Sequence, residues 1–224
     1  MGQKAKITEI FTSIQGEGLY AGQLQTFVRF YGCNIKCSFC DESGKNKYKE
    51  YSVPEFIKAV TKENSKVISL TGGEPLLYAD FLKEALPRLK KKGFVIYLET
   101  NGLLKNNLLE IMELLDIISM DIKLPSSTGA NAFWKAHADF LKEAVRKQVF
   151  VKSVITAGTS PEDIKKAASI IAKIDRAVFY ILQPVTVRNK IQDIKSAERF
   201  LAAAGAKLDN VRLIPQIHKI LGVR

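Results

Sequence analysis

The 224-residue sequence predicts an α/β fold, a partial (incomplete) TIM-like barrel of about six parallel βα units, built as a single domain over residues 1–224. Apolar segments of strand length alternate with amphipathic segments of helix length, the pattern of βα crossovers and a parallel sheet. The strand segments are near-continuous apolar runs (VISL, FVIYL, FVKSVI, AVFYIL), as expected where both faces of a sheet are covered. Periodicity alone fits a doubly wound sheet as well as a barrel. The unusual residues, however, follow the ends of five strands, and an open barrel brings five such segments to one rim. The length is also short for eight full units.

Leu24–Tyr31 (LQTFVRFY) reads as the first strand, followed by a cysteine loop. Ser52 and Glu55 form a capping box that opens a helix to about Thr61, with Pro54 tolerated in its first turn. Lys66–Leu70 is a strand, and Ala79–Lys92 a helix stopped by Gly93. Phe94–Glu99 is a strand, Lys105–Leu115 a helix, Ile117–Asp121 a strand and Asn131–Lys147 a helix. Val149–Ile155 is a strand, and Ser160 caps a helix running to about Ile174. Ala177–Leu182, a helix over Asp193–Ala204 closed by Gly205, and a short strand at Val211–Ile214 complete the alternation.

Composition is that of a globular protein, with 46% hydrophobic and 25% charged residues. No apolar run approaches the ~20 residues of a membrane span, and MGQKAKITEIF lacks the apolar core of a secretory signal, so the expected location is cytoplasmic. The net charge of +11 raises the question of nucleic acid. The lysines are instead scattered over the polar faces of the predicted helices, without long like-charge blocks or interleaved aromatics, which favours a solvated surface over an RNA footprint.

Cys33, Cys37 and Cys40 are the three cysteines of the chain, and such clustering is not a disulfide framework. Structural zinc would need a fourth ligand from the distant His137 or His218. A [4Fe–4S] cluster held by three thiolates leaves one iron open to an exchangeable ligand, which suits the spacing better.

The C-x3-C-x2-C spacing, with Phe39 between the last two cysteines and Thr71-Gly72-Gly73-Glu74-Pro75 after the second strand, resembles the radical S-adenosylmethionine (SAM) superfamily. The resemblance implies a radical SAM core, a [4Fe–4S] cluster on Cys33, Cys37 and Cys40, and SAM as a cofactor cleaved by one electron. It also implies that Phe39 packs on the adenine, that Gly72 and Gly73 let the backbone approach the methionyl group, and that Glu74 accepts from its ammonium. Cys40 and Asp41 would adjoin the cofactor.

Gln15-Gly16-Glu17-Gly18, Arg29, Glu99-Thr100-Asn101-Gly102, Ser119 through Lys123, Gln183-Pro184-Val185 and Pro215-Gln216-Ile217-His218-Lys219 narrow the likeness. From about Thr8 to Arg224 the chain resembles the 7-carboxy-7-deazaguanine synthases, a family of the queuosine pathway. This implies conversion of 6-carboxy-5,6,7,8-tetrahydropterin to 7-carboxy-7-deazaguanine: hydrogen abstraction at C6, ring contraction and loss of ammonia, with SAM regenerated. Substrate would be held by Ile14, Gln15, Gly16, Glu17, Arg29, Thr100, His218 and the terminal Arg224. Glu17 would accept from the guanidine-like edge, and Arg29 would hold the carboxylate as a fork. Gly102, Ser119, Asp121, Lys123, Gln183 and Pro184 would adjoin SAM. Mg2+, a homodimer and a flavodoxin- or ferredoxin-type electron donor are implied as well. Two departures stand out. Asp41-Glu42-Ser43 replaces the usual Asp-Thr or Asp-Ser, leaving either Glu42 or Ser43 for Mg2+, and Ser119-Met-Asp-Ile-Lys123 replaces Ser-Pro-Lys, leaving either Asp121 or Lys123 to face the cofactor. A glycyl-radical-enzyme activating protein and a basic RNA-binding iron–sulfur protein are the competing expectations. Glu17 and Arg29 read alternatively as a surface ion pair.

Overall fold

The computed structural model describes residues 2–40, 47–187, 190–192 and 195–223. Its main sheet has nine strands, seven of them parallel in each adjoining pair. The parallel strands are those expected from the apolar runs: β2 (Leu24–Phe30), β4 (Val67–Gly72), β5 (Val95–Thr100), β6 (Ile117–Asp121), β7 (Gln148–Ile155), β8 (Tyr180–Pro184) and β11 (Val211–Leu213). The helices between them are α1 (Val53–Val60), α2 (Ala79–Lys90), α3 (Lys105–Ile111), α5 (Trp134–Ala144), α6 (Pro161–Ile174) and α7 (Ala197–Gly205). The predicted start of the last of these, Asp193, lies outside the described residues, and α5 begins later than expected, after a separate short turn, α4 (Pro125–Thr128).

Two strands extend the sheet beyond the βα alternation. β1 (Lys4–Ile14) runs antiparallel to β2, and β3 (Lys49–Ser52) antiparallel to β1, so the amino-terminal flank is a meander. The long β1 escapes a reading by apolar runs because KAKITEIFTSI alternates polar and apolar residues: Ala5, Ile7 and Phe11 are buried, with more exposed residues between. A two-stranded ribbon, β9 (Thr186–Val187) with β10 (Lys190–Ile191), and a terminal turn of helix, α8 (Ile217–Leu221), complete the chain. In the strand order β11-β8-β7-β6-β5-β4-β2-β1-β3, no ladder joins β11 to β3 among the described residues.

Each parallel strand sends alternate residues to opposite faces. Ile68 and Leu70, Ile96 and Leu98, Ile118 and Met120, and Val151 and Ile155 join the main core, together with apolar helix residues such as Phe56, Leu82, Leu108, Phe140, Ile164 and Phe200. The opposite face is divided along its length. Near the amino ends, Tyr97, Ile117, Phe150 and Ile181 form a second cluster, packed against Leu19 and Tyr20 from the turn after β1. Toward the carboxyl ends the same face becomes polar, with Thr71, Glu99, Asp121, Lys152 and Gln183 lining a cavity.

A cavity that joins the cysteine loop to a buried charge ladder

The cavity has a volume of about 680 Å³. On one side stands the cysteine loop, whose Cys33, Cys37, Phe39 and Cys40 all line it. Three elements anchor this loop. Glu74 N–H donates to the Gly32 carbonyl at 2.8 Å, Asn101 Nδ2 donates to Asn34 Oδ1 at 2.7 Å, and Ser38 donates to Thr128 O and Ser127 O at 2.9 and 3.2 Å. Gly73 is pressed against the loop so closely that a Cβ there would stand 1.8 Å from the Gly32 oxygen. Burial raises the Cys33 and Cys37 thiols above their ordinary value.

A chain of hydrogen bonds and ion pairs crosses the cavity. Thr71 Oγ1 donates to Glu99 Oε2 at 2.8 Å, and Gln15 Nε2 donates to Glu99 Oε1 at 2.9 Å. Gln15 Oε1 accepts from Glu17 N–H at 3.0 Å. Glu17 in turn pairs with Lys152 and accepts from Gln216 Nε2 at 2.6 Å. Lys152 Nζ lies 3.9 Å from Asp121 Oδ2, which also pairs with Lys123 Nζ at 2.8 Å. Burial alone would push the Glu17 carboxyl up, but Lys152 and Gln216 bring it down to about 2. Burial also opposes charge on Lys152 and Lys123, yet both are held above their ordinary values, Lys152 by Glu17 and Asp121, Lys123 by Asp121.

Most of the residues singled out from the sequence meet here. Ile14, Gln15, Gly16, Glu17, Arg29, Gly72, Gly73, Thr100, Asp121, Lys123, Gln183 and His218 line the same cavity as the cysteines. Asp121 and Lys123 both line it. Glu17 and Arg29 do not form the surface pair considered above, since Glu17 is held by Lys152 and Arg29 lies 3.5 Å from Glu9. His218 packs over Gly16, where a Cβ would fall 1.8 Å from its Nδ1, and Ile217 N–H donates to Gly16 O at 2.9 Å.

Four of the singled-out residues stand behind the wall instead. Glu74 is fully buried and accepts from Leu76 N–H at 3.0 Å, Thr100 Oγ1 at 2.9 Å and Asn101 N–H at 2.8 Å, its carboxyl pushed up to about 7 by burial. It therefore ties two strand-end motifs together. Ser119 is buried beside Tyr97, Gly102 backs onto Met120, and Pro184 follows the lining residue Gln183 without lining the cavity itself. Asp41, Glu42, Ser43 and Arg224 lie outside the described residues. His137, one of the two histidines a zinc site would need, is buried with Nε2 3.1 Å from Asn101 O and is kept neutral by burial, down to about 4. Lys152, Glu99 and Gln216 were not singled out individually. The signal for Lys152 was available, a lysine in the middle of the apolar run FVKSVI.

The lining fits the two groups the sequence implies. Three thiols on one anchored loop are a donor set for a cluster with one open iron. Asp121 Oδ1 and Gln183 Oε1 are buried acceptors without a donor among the described residues, suited to the hydroxyls and ammonium of SAM.

Comparison with known proteins agrees. The radical SAM superfamily profile matches residues 27–171. The 7-carboxy-7-deazaguanine synthase of Geobacter sulfurreducens is 35% identical, covering 97% of each chain. That of Methanocaldococcus jannaschii is 33% identical over 97% of this chain and 99% of the relative. The crystal structure of QueE from Escherichia coli superposes with a TM-score of 0.67 at 20% identity, covering 95% of this chain and 94% of that one, and supports the fold. Family membership implies a [4Fe–4S] cluster and SAM. Among the described residues no helix is long and apolar enough to cross a membrane. With relatives matched along almost their whole length, the chain belongs to the radical SAM superfamily and, within it, to the 7-carboxy-7-deazaguanine synthase family.

Proposed function

We propose that this protein is a radical SAM lyase that converts 6-carboxy-5,6,7,8-tetrahydropterin to 7-carboxy-7-deazaguanine with loss of ammonia, in queuosine and 7-deazapurine biosynthesis. One observation carries the reading: the cysteine loop and the set Gln15, Glu17, Arg29 and His218 open into the same cavity. Near-full-length similarity to named synthases favours it over a glycyl-radical activator or an RNA-binding protein. The chain acts as one radical SAM domain over residues 1–224.

Cys33, Cys37 and Cys40 would hold the [4Fe–4S] cluster, leaving one iron for the methionyl end of SAM. When bound, cluster and cofactor together supply the electron and the radical that removes hydrogen from C6 of the substrate. Phe39 would stack on the adenine, Asp121 and Gln183 would accept from SAM donors, and Lys123 would face its carboxylate. Across the cavity, the Glu17 carboxylate would accept N–H bonds from the guanidine-like edge of the pterin. Arg29 would hold the substrate carboxylate, and Thr100, its hydroxyl donated to Glu74, would line the pocket beside the substrate. His218, seated over Gly16, would close the pocket over the substrate. Either Glu42 or Ser43 would ligate Mg2+, and Arg224 would reach the substrate. A homodimer, a flavodoxin- or ferredoxin-type electron donor and a cytoplasmic setting complete the proposal.

The test is anaerobic reconstitution with iron and sulfide, followed by SAM, dithionite and the carboxy-tetrahydropterin. The expected product is the deazaguanine acid by mass spectrometry. Cluster-loaded protein that cleaves SAM without forming this product would sink the reading.

A further inference from the structure

One buried charge has no part in these contacts. Lys152 stands in mid-strand on β7, in register with Asp121 of β6, and is only 7% exposed. An uncompensated ammonium there would be costly. Its partner Glu17 carries Gln216 Nε2 on Oε1 and Lys152 on Oε2, and both Glu17 and Lys152 line the cavity. The other titratable or charged groups facing the pair are His218 from α8, Tyr97 and Glu99 from β5, Asp121 from β6, and Lys123 just after β6. Lys152 is in salt-bridge contact with Glu17.

We propose that Lys152 is a positioning residue for the substrate, holding Glu17 as an anion aimed into the cavity so that its carboxylate accepts N–H donors from the pterin ring edge. The proposal rests on the assignment of Glu17 to that edge. A carboxylate is acceptor-only, with room for two N–H donors beside its protein partners, whereas a protonated Glu17 would present a donor to a donor-rich edge. Without Lys152, the Gln216 amide and His218 are left to oppose burial, and the Glu17 carboxyl rises. Glu17, Asp121 and Glu99 hold Lys152 charged at neutral pH despite burial.

The experiment measures initial rates of the reconstituted enzyme against 6-carboxy-tetrahydropterin, from about pH 6 to about pH 9, for wild type, K152M, K152R, E17Q and K152M/E17Q. K152M is expected to raise KM about tenfold, with a smaller change in kcat and a deficit that deepens as pH falls. Added to E17Q, K152M is expected to change KM little, because the group it positions is already gone. K152M with wild-type KM at every pH, beside an impaired E17Q, overturns the proposal. E17Q with wild-type KM overturns the assignment of Glu17 itself. If K152M does not fold, K152R decides: it keeps the charge and should keep the wild-type pH profile, and an acidic limb displaced upward would count against the proposal.

Discussion

At the scale of the residue, the cavity depends on contacts that admit no substitution in size or proton count. Gly73 faces the backbone of the cysteine loop, not a movable side chain, so an alanine can be seated only by pushing Gly32 and the thiols behind it. Gly73→Ala should cost ~2 kcal/mol in stability and lower the iron bound per chain after reconstitution. Thermal melting and iron assay check the two effects separately, and full iron loading in the variant would show that the loop tolerates the shift. Glu74 illustrates a different constraint. Its two oxygens receive three donors from Leu76, Thr100 and Asn101, so the GGEP and ETNG motifs are joined by one buried carboxyl. Motif logic pointed it at the cofactor, and the described contacts use its acceptor capacity inside the wall.

At the scale of the element, strand alternation divides the labour. One face of each strand builds the helix-covered core, and the other is apolar near its amino end and polar near its carboxyl end. The loops after the strands are fastened to one another by side chains rather than by ladders. Ser126 donates to Asp163 Oδ2 through N–H at 2.8 Å and Oγ at 2.6 Å, Ser160 N–H donates to Ser126 Oγ at 2.9 Å, and Ser160 Oγ accepts from Asp163 N–H at 3.2 Å. This knot caps α6 and steadies α4, which holds the cysteine loop through Ser38. Ser160→Ala should remove ~1 kcal/mol and lower Tm by about 2–4 °C. Calorimetry reads the loss, and an unchanged Tm would mean that Ser126 and Asp163 hold the helix start without the cap.

At the scale of the whole molecule, stability responds to pH through buried groups of opposite sense. His137 titrates at about 4 in the fold against an ordinary 6.5, so the unfolded chain takes up its proton first. Its contribution is complete above about pH 6.5 and is lost as pH falls toward 4. Glu74, raised to about 7, acts in reverse: the folded state keeps its proton longer, and stability falls as pH rises from about 4.5 to 7. In His137→Gln the amide can still donate to Asn101 O, but nothing titrates. Relative to wild type, the variant should gain ~3 kcal/mol between pH 7 and pH 4, read from urea unfolding at the two pH values. A difference that does not change with pH would mean that the ring takes up its proton as readily in the fold as in the unfolded chain.

Local pattern determined much of this protein. The seven parallel strands and the helices between them follow from apolar runs, caps and glycine stops, because burial on both faces leaves a continuous apolar signature. The cysteine triad and its motifs, with the strand-end placement that gathers them, were likewise legible, since chemistry of that kind needs particular residue types at particular spacings. The tertiary structure decided the rest. The flanking strand β1 alternates polar and apolar residues and carries no continuous apolar signature, so only its pairing with β2 and β3 identifies it. Lys152 stands out in the sequence as a lysine inside an apolar run, but only the fold, with β7 beside β6 and a partner 135 positions away, makes it half of a buried pair. Glu74 moves from the cavity to its wall for the same reason. A side chain's type is written in the sequence, but its solvent and its partners are set by strands distant in the chain, and these decide whether a charge is a surface ornament or part of the site.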